Sequence, residues 1–233
     1  MSPDIPQTLF SAGVLLASYL TYRCQQPPNP NPSAAKQSNA DPFTRTKFTR
    51  LIAYQGTLFL LLGTIHALLP LLPPQPHASV CPAQNTLNPS LFTWSPRSTI
   101  LLTLTVLGGT LRLLSFAHLS QNFTFAVARP SRLITSGVYA YIQHPGYTGG
   151  ILALAGFSRL VLRTDGVFAC WSGTKLWSCI WVFVYANKAF VEVFVFWVVF
   201  VRVPSEERML RDAFGAEWEG YHARTARFVP WVL

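Results

Sequence analysis

Charge is scarce in this sequence. Of 233 residues only 18 are Lys or Arg and 9 are Asp or Glu, 12% together, while half are hydrophobic. Soluble domains carry about a quarter charged residues, so a large soluble core is excluded and a membrane protein is indicated. Cysteine is equally sparse: Cys24, Cys81, Cys170 and Cys179 are scattered, with no C-x-x-C and no Cys/His cluster. That pattern argues against a zinc site or a disulfide framework and predicts buried or interfacial thiols; no metal is expected. The first apolar run lacks a basic lead-in, since MSPD carries an acid and no base, and no small-x-small cleavage site follows it. It therefore reads as a retained membrane span rather than a signal peptide. The formal net charge is +9, but the bases sit in loops beside apolar runs. This is the pattern of membrane orientation and not of nucleic-acid binding.

Long charge-free runs are what the chain does have. No charged residue occurs from Ile5 to Tyr22 or from Leu51 to Leu72, and a third run from Ser98 to Leu119 is broken only by Arg112 and His118. About 20 apolar residues cross a bilayer core, so each run predicts a transmembrane helix. Two further apolar stretches follow, about 149–162 and 167–201. The second is too long for one upright helix and predicts a break or interfacial turn near Ser172–Lys175, or a tilt. The expected fold is all-α: a polytopic helical membrane protein of about five spans, in one integral membrane domain. Residues 1–97 would supply two spans and a Pro-rich loop, and residues 98–233 the functional core.

The loop from Arg23 to Arg50 contains PPNPNPSAAKQSNADP and carries Arg23, Lys36, Arg45, Lys47 and Arg50 against Asp41. The next loop has Arg97 as its one strong base. The asymmetry assigns the first loop to the cytosol and the second to the far side. On α-helical spacing Lys188 and Glu192 are neighbours, either neutralising each other within the membrane or lying at its interface. Beyond the last run, Met209, Leu210, Ala213, Phe214 and Trp218 form one apolar stripe. Ser205 suits an N-cap and Gly215 a stop, which predicts an amphipathic helix on the cytosolic interface.

Three polar clusters fall at the cytosolic ends of spans: Arg112 with Gln121-Asn122-Phe123; Leu133 to Tyr139 running into Gln143-His144-Pro145-Gly146-Tyr147; and Arg202-x-x-x-Glu206-Glu207. Ionisable groups at such depth are expensive and mark functional sites. Each also admits a plainer reading. Arg112 can snorkel to the headgroups, His144-Pro145 can cap a turn, and Arg202 with Glu206 can be a solvated i,i+4 pair.

Taken in order, LRLLSFAHLSQNF, LITSGVYAYIQHPGYTGG, R-x-x-x-E-E and FGAEWEGYHAR resemble the isoprenylcysteine carboxyl methyltransferase family. The resemblance covers roughly Gly108 to Pro230. It implies an S-adenosylmethionine pocket open to the cytosol and a prenylated cysteine that enters laterally from lipid. Carried over, Ser131, Arg132, Leu133 and Ile134 would line the cofactor, with Tyr139, His144, Pro145, Gly146 and Tyr147 completing that wall. Glu206 would bind the cofactor and Arg202 the substrate, as the catalytic pair. The implied partners are the prenylated C-terminal cysteine of CaaX proteins and membrane lipid, and the implied location is the endoplasmic reticulum membrane with the site facing the cytosol. The chain departs from the family pattern at several positions. Gln143 stands for an arginine, Gly146 for serine and Ala128 for glutamine; Arg224-Thr225-Ala226 replaces R-V-P, and segment 163–190 is longer.

Methyl transfer to a carboxylate needs no general base, because the nucleophile is already ionised at pH 7. It needs position and exclusion of water. An arginine grips a carboxylate without giving up its proton, and aromatic rings favour a sulfonium by about 1 kcal/mol. Two alternatives stand beside this reading: a phospholipid N-methyltransferase acting on phosphatidylethanolamine, which would require a base, and a non-catalytic membrane relative.

Overall fold

Charge-free runs become helices. The computed structural model describes residues 4–30, 46–73, 79–123, 125 and 129–230, with backbone alone for 46–48. The Pro/Asn/Ser-rich segment 31–45, with Lys36, Asp41 and Arg45, and also Ala128, lie outside the described residues. Five long helices carry the fold: α1 (Ile5–Cys24), α2 (Thr46–Leu68), α3 (Pro96–Leu119), α4 (Pro145–Val161) and α5 (Trp177–Trp197). Two shorter ones close it, α6 (Val203–Phe214) and α7 (Ala216–His222). No strand occurs among the described residues; one isolated bridge joins Ile142 and Ala226. The expected all-α class is therefore found. Stretches Thr49–Leu71, Pro89–Asn122 and Trp177–Phe214 are long and apolar enough to cross a membrane.

Local chemistry sets the helix starts. Asp4 accepts from Gln7 N at 2.8 Å to cap α1, with Pro6 in its first turn. Ser95 and Ser98 form a reciprocal capping box at α3, ahead of Pro96. These contacts satisfy amide donors that a helix start leaves open.

Helices α3 and α4 make the closest contact in the bundle. A Cβ on Gly108 would lie 2.6 Å from Ala153 N, and one on Gly149 2.6 Å from Arg112 N. Lipid tails are as apolar as Leu, so association here rests on close packing, which small residues permit. Helix α1 lies against α2 and α3, with Phe10 and Val14 fully buried. Between α2 and α4 the rings of Phe59 and Phe157 stack 5.3 Å apart.

The five long helices alternate in direction, so their termini gather at two ends. At one end Gln7 Nε2 donates to Phe92 O at 2.9 Å and Trp94 Nε1 to Pro6 O at 3.0 Å. There too Asn88 Nδ2 donates to Asp165, which Arg163 grips with two hydrogen bonds of 2.6 Å. At the other end Asn29 Nδ2 donates to Ser120 O at 2.7 Å and Arg112 Nε to Cys24 O at 2.9 Å.

Two expectations are corrected. Cys81 and Cys170 are disulfide-bonded, with Cα atoms 4.4 Å apart and a sequence separation of 89 residues. Such a pair has no local spacing signature, because the folding of α3 and α4 brings it together. Cys24 is a buried thiol and Cys179 an exposed one. The second correction concerns the amphipathic helix, which has no start of its own at Ser205. A π-turn (Val198–Arg202) joins α5 to α6 in one continuous rod, and Ser205 Oγ donates back to Val201 O. The stop at Gly215 is found, at φ 51°, where glycine is favoured. The expected break near Ser172–Lys175 is found as well, as a turn after the 3₁₀ segment Val167–Trp171.

Candidate active site

The tyrosine-rich stretch before α4 is held from three sides. Gly137 turns the chain at φ 63°, where any Cβ would collide with the His118 ring. Residues 142–144 then run beside the C-terminal tail: Gln143 N donates to Ala226 O at 2.8 Å and His144 N to Arg227 O at 3.0 Å. Tyr221 Oη donates to Tyr139 O at 2.8 Å. Pro145 opens α4, where a missing N–H costs nothing.

Gln143 is buried, and its amide is fully used. Nε2 donates to Thr225 O at 2.6 Å and His222 O at 3.3 Å, and Oε1 faces His222 Nδ1 at 2.9 Å. Because Nε2 is the donor to two carbonyls, Oε1 accepts and His222 carries its proton on Nδ1. The following residue, His144, places Nε2 3.3 Å from Glu207, which also accepts from Arg227 Nη2 at 2.6 Å. The second acid of the Glu206-Glu207 pair thus locks the tail onto the His-Pro turn.

Glu206 points elsewhere. Tyr147 Oη donates to Glu206 Oε2 at 2.6 Å and accepts from Arg202 Nε at 2.9 Å. Arg202 is buried, and its Nη2 also donates to Phe125 O at 2.6 Å. The π-turn ends on this arginine and makes α6 begin there, so Arg202 and Glu206 both face Tyr147.

Two cavities meet at this junction. One, about 940 Å³, is lined by Arg132, Leu133, Ile134, Tyr139 and His144, by Gly146, Glu206 and Trp218, and by aromatic and apolar neighbours. The other, about 800 Å³, is apolar and runs between α2, α4 and α5 past Ile52, Ile151, Leu154, Phe190, Phe194 and Trp197. Arg112, Phe125, Tyr147 and Arg202 line both. Of the residues assigned from the motifs, Ser131 and Pro145 do not line either cavity. Ser131 is exposed and donates through N and Oγ to Asn122 Oδ1, while Pro145 is buried at the helix start. Burial, and after it the Glu206 carboxylate, pushes the Tyr139 hydroxyl far above its ordinary range, so it stays a neutral donor. Burial likewise holds Tyr221 up at about 12.

Sequence reasoning placed Arg112 and Glu207 in polar clusters at span ends without giving either a role, and read Trp218 as part of an apolar stripe rather than of this site. The Trp218 side chain lines the larger cavity, and its Nε1 is buried without a hydrogen-bond partner among the described residues. Its place in FGAEWEGYHAR was the available signal. The partners of Glu207 lie 63 residues before it and 20 after it, beyond any local pattern.

The model of the isoprenylcysteine carboxyl methyltransferase family matches residues 100–212. A rice (Oryza sativa subsp. indica) protein named probable protein-S-isoprenylcysteine O-methyltransferase is 28% identical over 139 residues, covering 56% of this chain and 60% of the relative. Protein-S-isoprenylcysteine O-methyltransferase B of Arabidopsis thaliana is 28% identical over 137 residues, 56% of this chain and 58% of its own. The Schizosaccharomyces pombe protein-S-isoprenylcysteine O-methyltransferase is 28% identical over 146 residues, 60% of this chain and 52% of its own. The similarity thus spans just over half of each relative.

Proposed function

We propose, from a chain whose residues 100–212 match the model of the isoprenylcysteine carboxyl methyltransferase family, that this protein methylates the C-terminal carboxylate of a prenylated cysteine. The observation that carries the reading is the junction of the two cavities at Arg112, Phe125, Tyr147 and Arg202. An acceptor with an apolar tail and an anionic head can lie with its tail in the groove and its head at two guanidinium groups. A water-soluble donor then occupies the wider, more polar cavity.

The residues of that cavity fit S-adenosylmethionine. Glu206 offers a carboxylate to an ammonium or to hydroxyls, and Tyr139, Tyr147 and Trp218 offer aromatic faces. The orphaned Trp218 Nε1 supplies a buried donor that an acceptor atom of the cofactor would satisfy. When bound, the cofactor supplies an electrophilic methyl group. The chain's own work is positional. Arg202, held by Tyr147 and the Phe125 carbonyl, fixes the carboxylate without exchanging a proton, and the apolar groove keeps water from the reacting oxygen. An acceptor carboxylate requires no general base, and a guanidinium is a poor one.

The same reading extends to topology. Five crossings, one per long helix, put the Cys81–Cys170 disulfide on the face opposite the cavities. Disulfides persist in oxidising compartments, which supports a lumenal disulfide face and a cytosolic active site in the endoplasmic reticulum membrane. Arg112, Arg129, Arg132, Arg202, Arg208 and Arg211 lie toward the proposed cytosolic end, in accord with positive-inside orientation. Within this scheme residues 1–97 form an N-terminal pair of spans and 98–233 the methyltransferase core.

The test is a two-acceptor assay. Purified protein in lipid receives labelled S-adenosylmethionine with N-acetyl-S-farnesylcysteine or with phosphatidylethanolamine, and label is expected on the farnesylcysteine carboxylate. Label on phosphatidylethanolamine alone would refute the carboxyl assignment, and failure to bind S-adenosylmethionine would refute the enzyme reading.

A further inference from the structure

Arg112 sits in mid-helix on α3, where a snorkelling side chain would reach for headgroups. Instead it is drawn inward. Its Nε donates to Cys24 O at 2.9 Å, its Nη1 to Gly146 O at 2.7 Å, and its guanidinium lies 5.0 Å from the Phe116 ring centre. Gly150 leaves room for it, since a Cβ there would stand 3.0 Å from Nη1. The side chain is therefore fixed at three points before any ligand arrives. Its remaining nitrogen, Nη2, carries no hydrogen bond among the described residues, although Arg112 lines both cavities. No carboxylate contacts it among the described residues. A partly buried guanidinium with an unused donor, on the shared lining of both cavities, is an incomplete ion pair.

We propose that Arg112 is a second carboxylate-binding residue, gripping the acceptor from the side opposite Arg202. The inference rests on the methyltransferase reading above and deepens it. Arg202 spends Nε on Tyr147 and Nη2 on Phe125 O, so a second cation adds donor capacity at the head of the groove. In the reaction a carboxylate oxygen forms a bond to the methyl carbon, the methyl–sulfur bond breaks, and its electron pair returns to sulfur. No proton moves. The acceptor thereby loses its charge, so the two arginines grip the substrate acid more tightly than the product ester. Arg112 is a positioning residue in the forward direction and an aid to product release in the reverse comparison. It does not act as an acid or base.

The test compares ligands that differ only in the charge of the head. Binding of S-farnesylthioacetic acid and of its carboxamide is measured in nanodiscs for the parent protein, Arg112→Met and Arg112→Lys, each checked for S-adenosylhomocysteine binding. The parent is expected to prefer the acid by about tenfold or more, the scale of charge-assisted hydrogen bonds. Arg112→Met is expected to lose most of that preference, while S-adenosylhomocysteine affinity changes by no more than about threefold. Arg112→Lys, which keeps the charge, is expected to retain part of it. If acid and carboxamide weaken together and their ratio stays at the parent value, Arg112 only holds helices and the proposal falls. If Arg112→Met does not fold, Arg112→Lys decides: an acid-to-amide ratio unchanged from the parent value overturns the proposal. Failure of the parent protein to bind either farnesyl ligand would instead defeat the underlying functional reading.

Discussion

Gln143 stands immediately before His144-Pro145 and joins the start of α4 to the end of α7 through both ends of its amide. Gln143→Leu would strip two carbonyls and the His222 Nδ1 proton of their partner. Buried groups left unpaired cost about 1–3 kcal/mol, so a clear fall in the thermal midpoint is expected by differential scanning fluorimetry. Gln143→Arg can donate to both carbonyls but has no atom with which to accept from His222, so its loss should be smaller. Arg202 presents a different case. Arg202→Ala is expected to lower turnover by at least about a hundredfold while cofactor affinity, read by calorimetry, shifts only a few-fold. Equal loss of both would contradict its proposed role toward the acceptor. That the His144 region and Arg202 would gather at one polar place was legible in the sequence, because rare polar groups beside apolar runs stand out. The contacts of Gln143 were not, since its partners lie 79 and 82 residues away and depend on how the tail folds back.

At the scale of elements, the close approach of α3 and α4 gives the firmest expectation. Gly149→Val would drive a branched side chain into the backbone of Arg112, which is 2.6 Å from an ideal Cβ. Overpacking of this kind costs about 1–3 kcal/mol. Because Arg112 is displaced with its helix, activity should fall alongside the midpoint. The loop after α4 responds to pH instead. Burial alone would raise the Asp165 carboxyl, but hydrogen bonds from Arg163 and Asn88, with the Arg163 charge, hold it at about 2. An unfolded aspartate titrates near 3.9, so its contribution is fully present above about pH 4 and is lost as pH falls through about 2. Amide exchange at Asn88, whose N–H donates to Asp165 O at 2.9 Å, should speed up across that window. In Asp165→Asn that pH dependence should flatten. Helix existence was legible here, since long charge-free runs have few other outcomes. The continuity of α5 into α6 was not: Pro204 and Ser205 are sound start signals, and a π-turn overrides them by rotating Arg202 toward Tyr147.

For the whole molecule, the Cys81–Cys170 disulfide ties the segment between α2 and α3 to the one between α4 and α5. Closing a loop of that size is worth about 4–5 kcal/mol on the chain-entropy account. Reductant should therefore lower the unfolding midpoint in nanodiscs, and Cys81→Ser/Cys170→Ser should reproduce the shift without further response to reductant. The overall class was legible from scarce charge, but this staple was hidden by the scatter of the four cysteines. It also imposes a schedule on biosynthesis. Cys81 leaves the ribosome 89 residues ahead of Cys170, so two long helices, α3 and α4, are made while its thiol still waits. During that interval Cys81 is open to wrong partners, and accelerated oxidation would trap them. Pulse-labelled chains should accordingly pass through a reduced form that ends only once the fourth helix has been inserted.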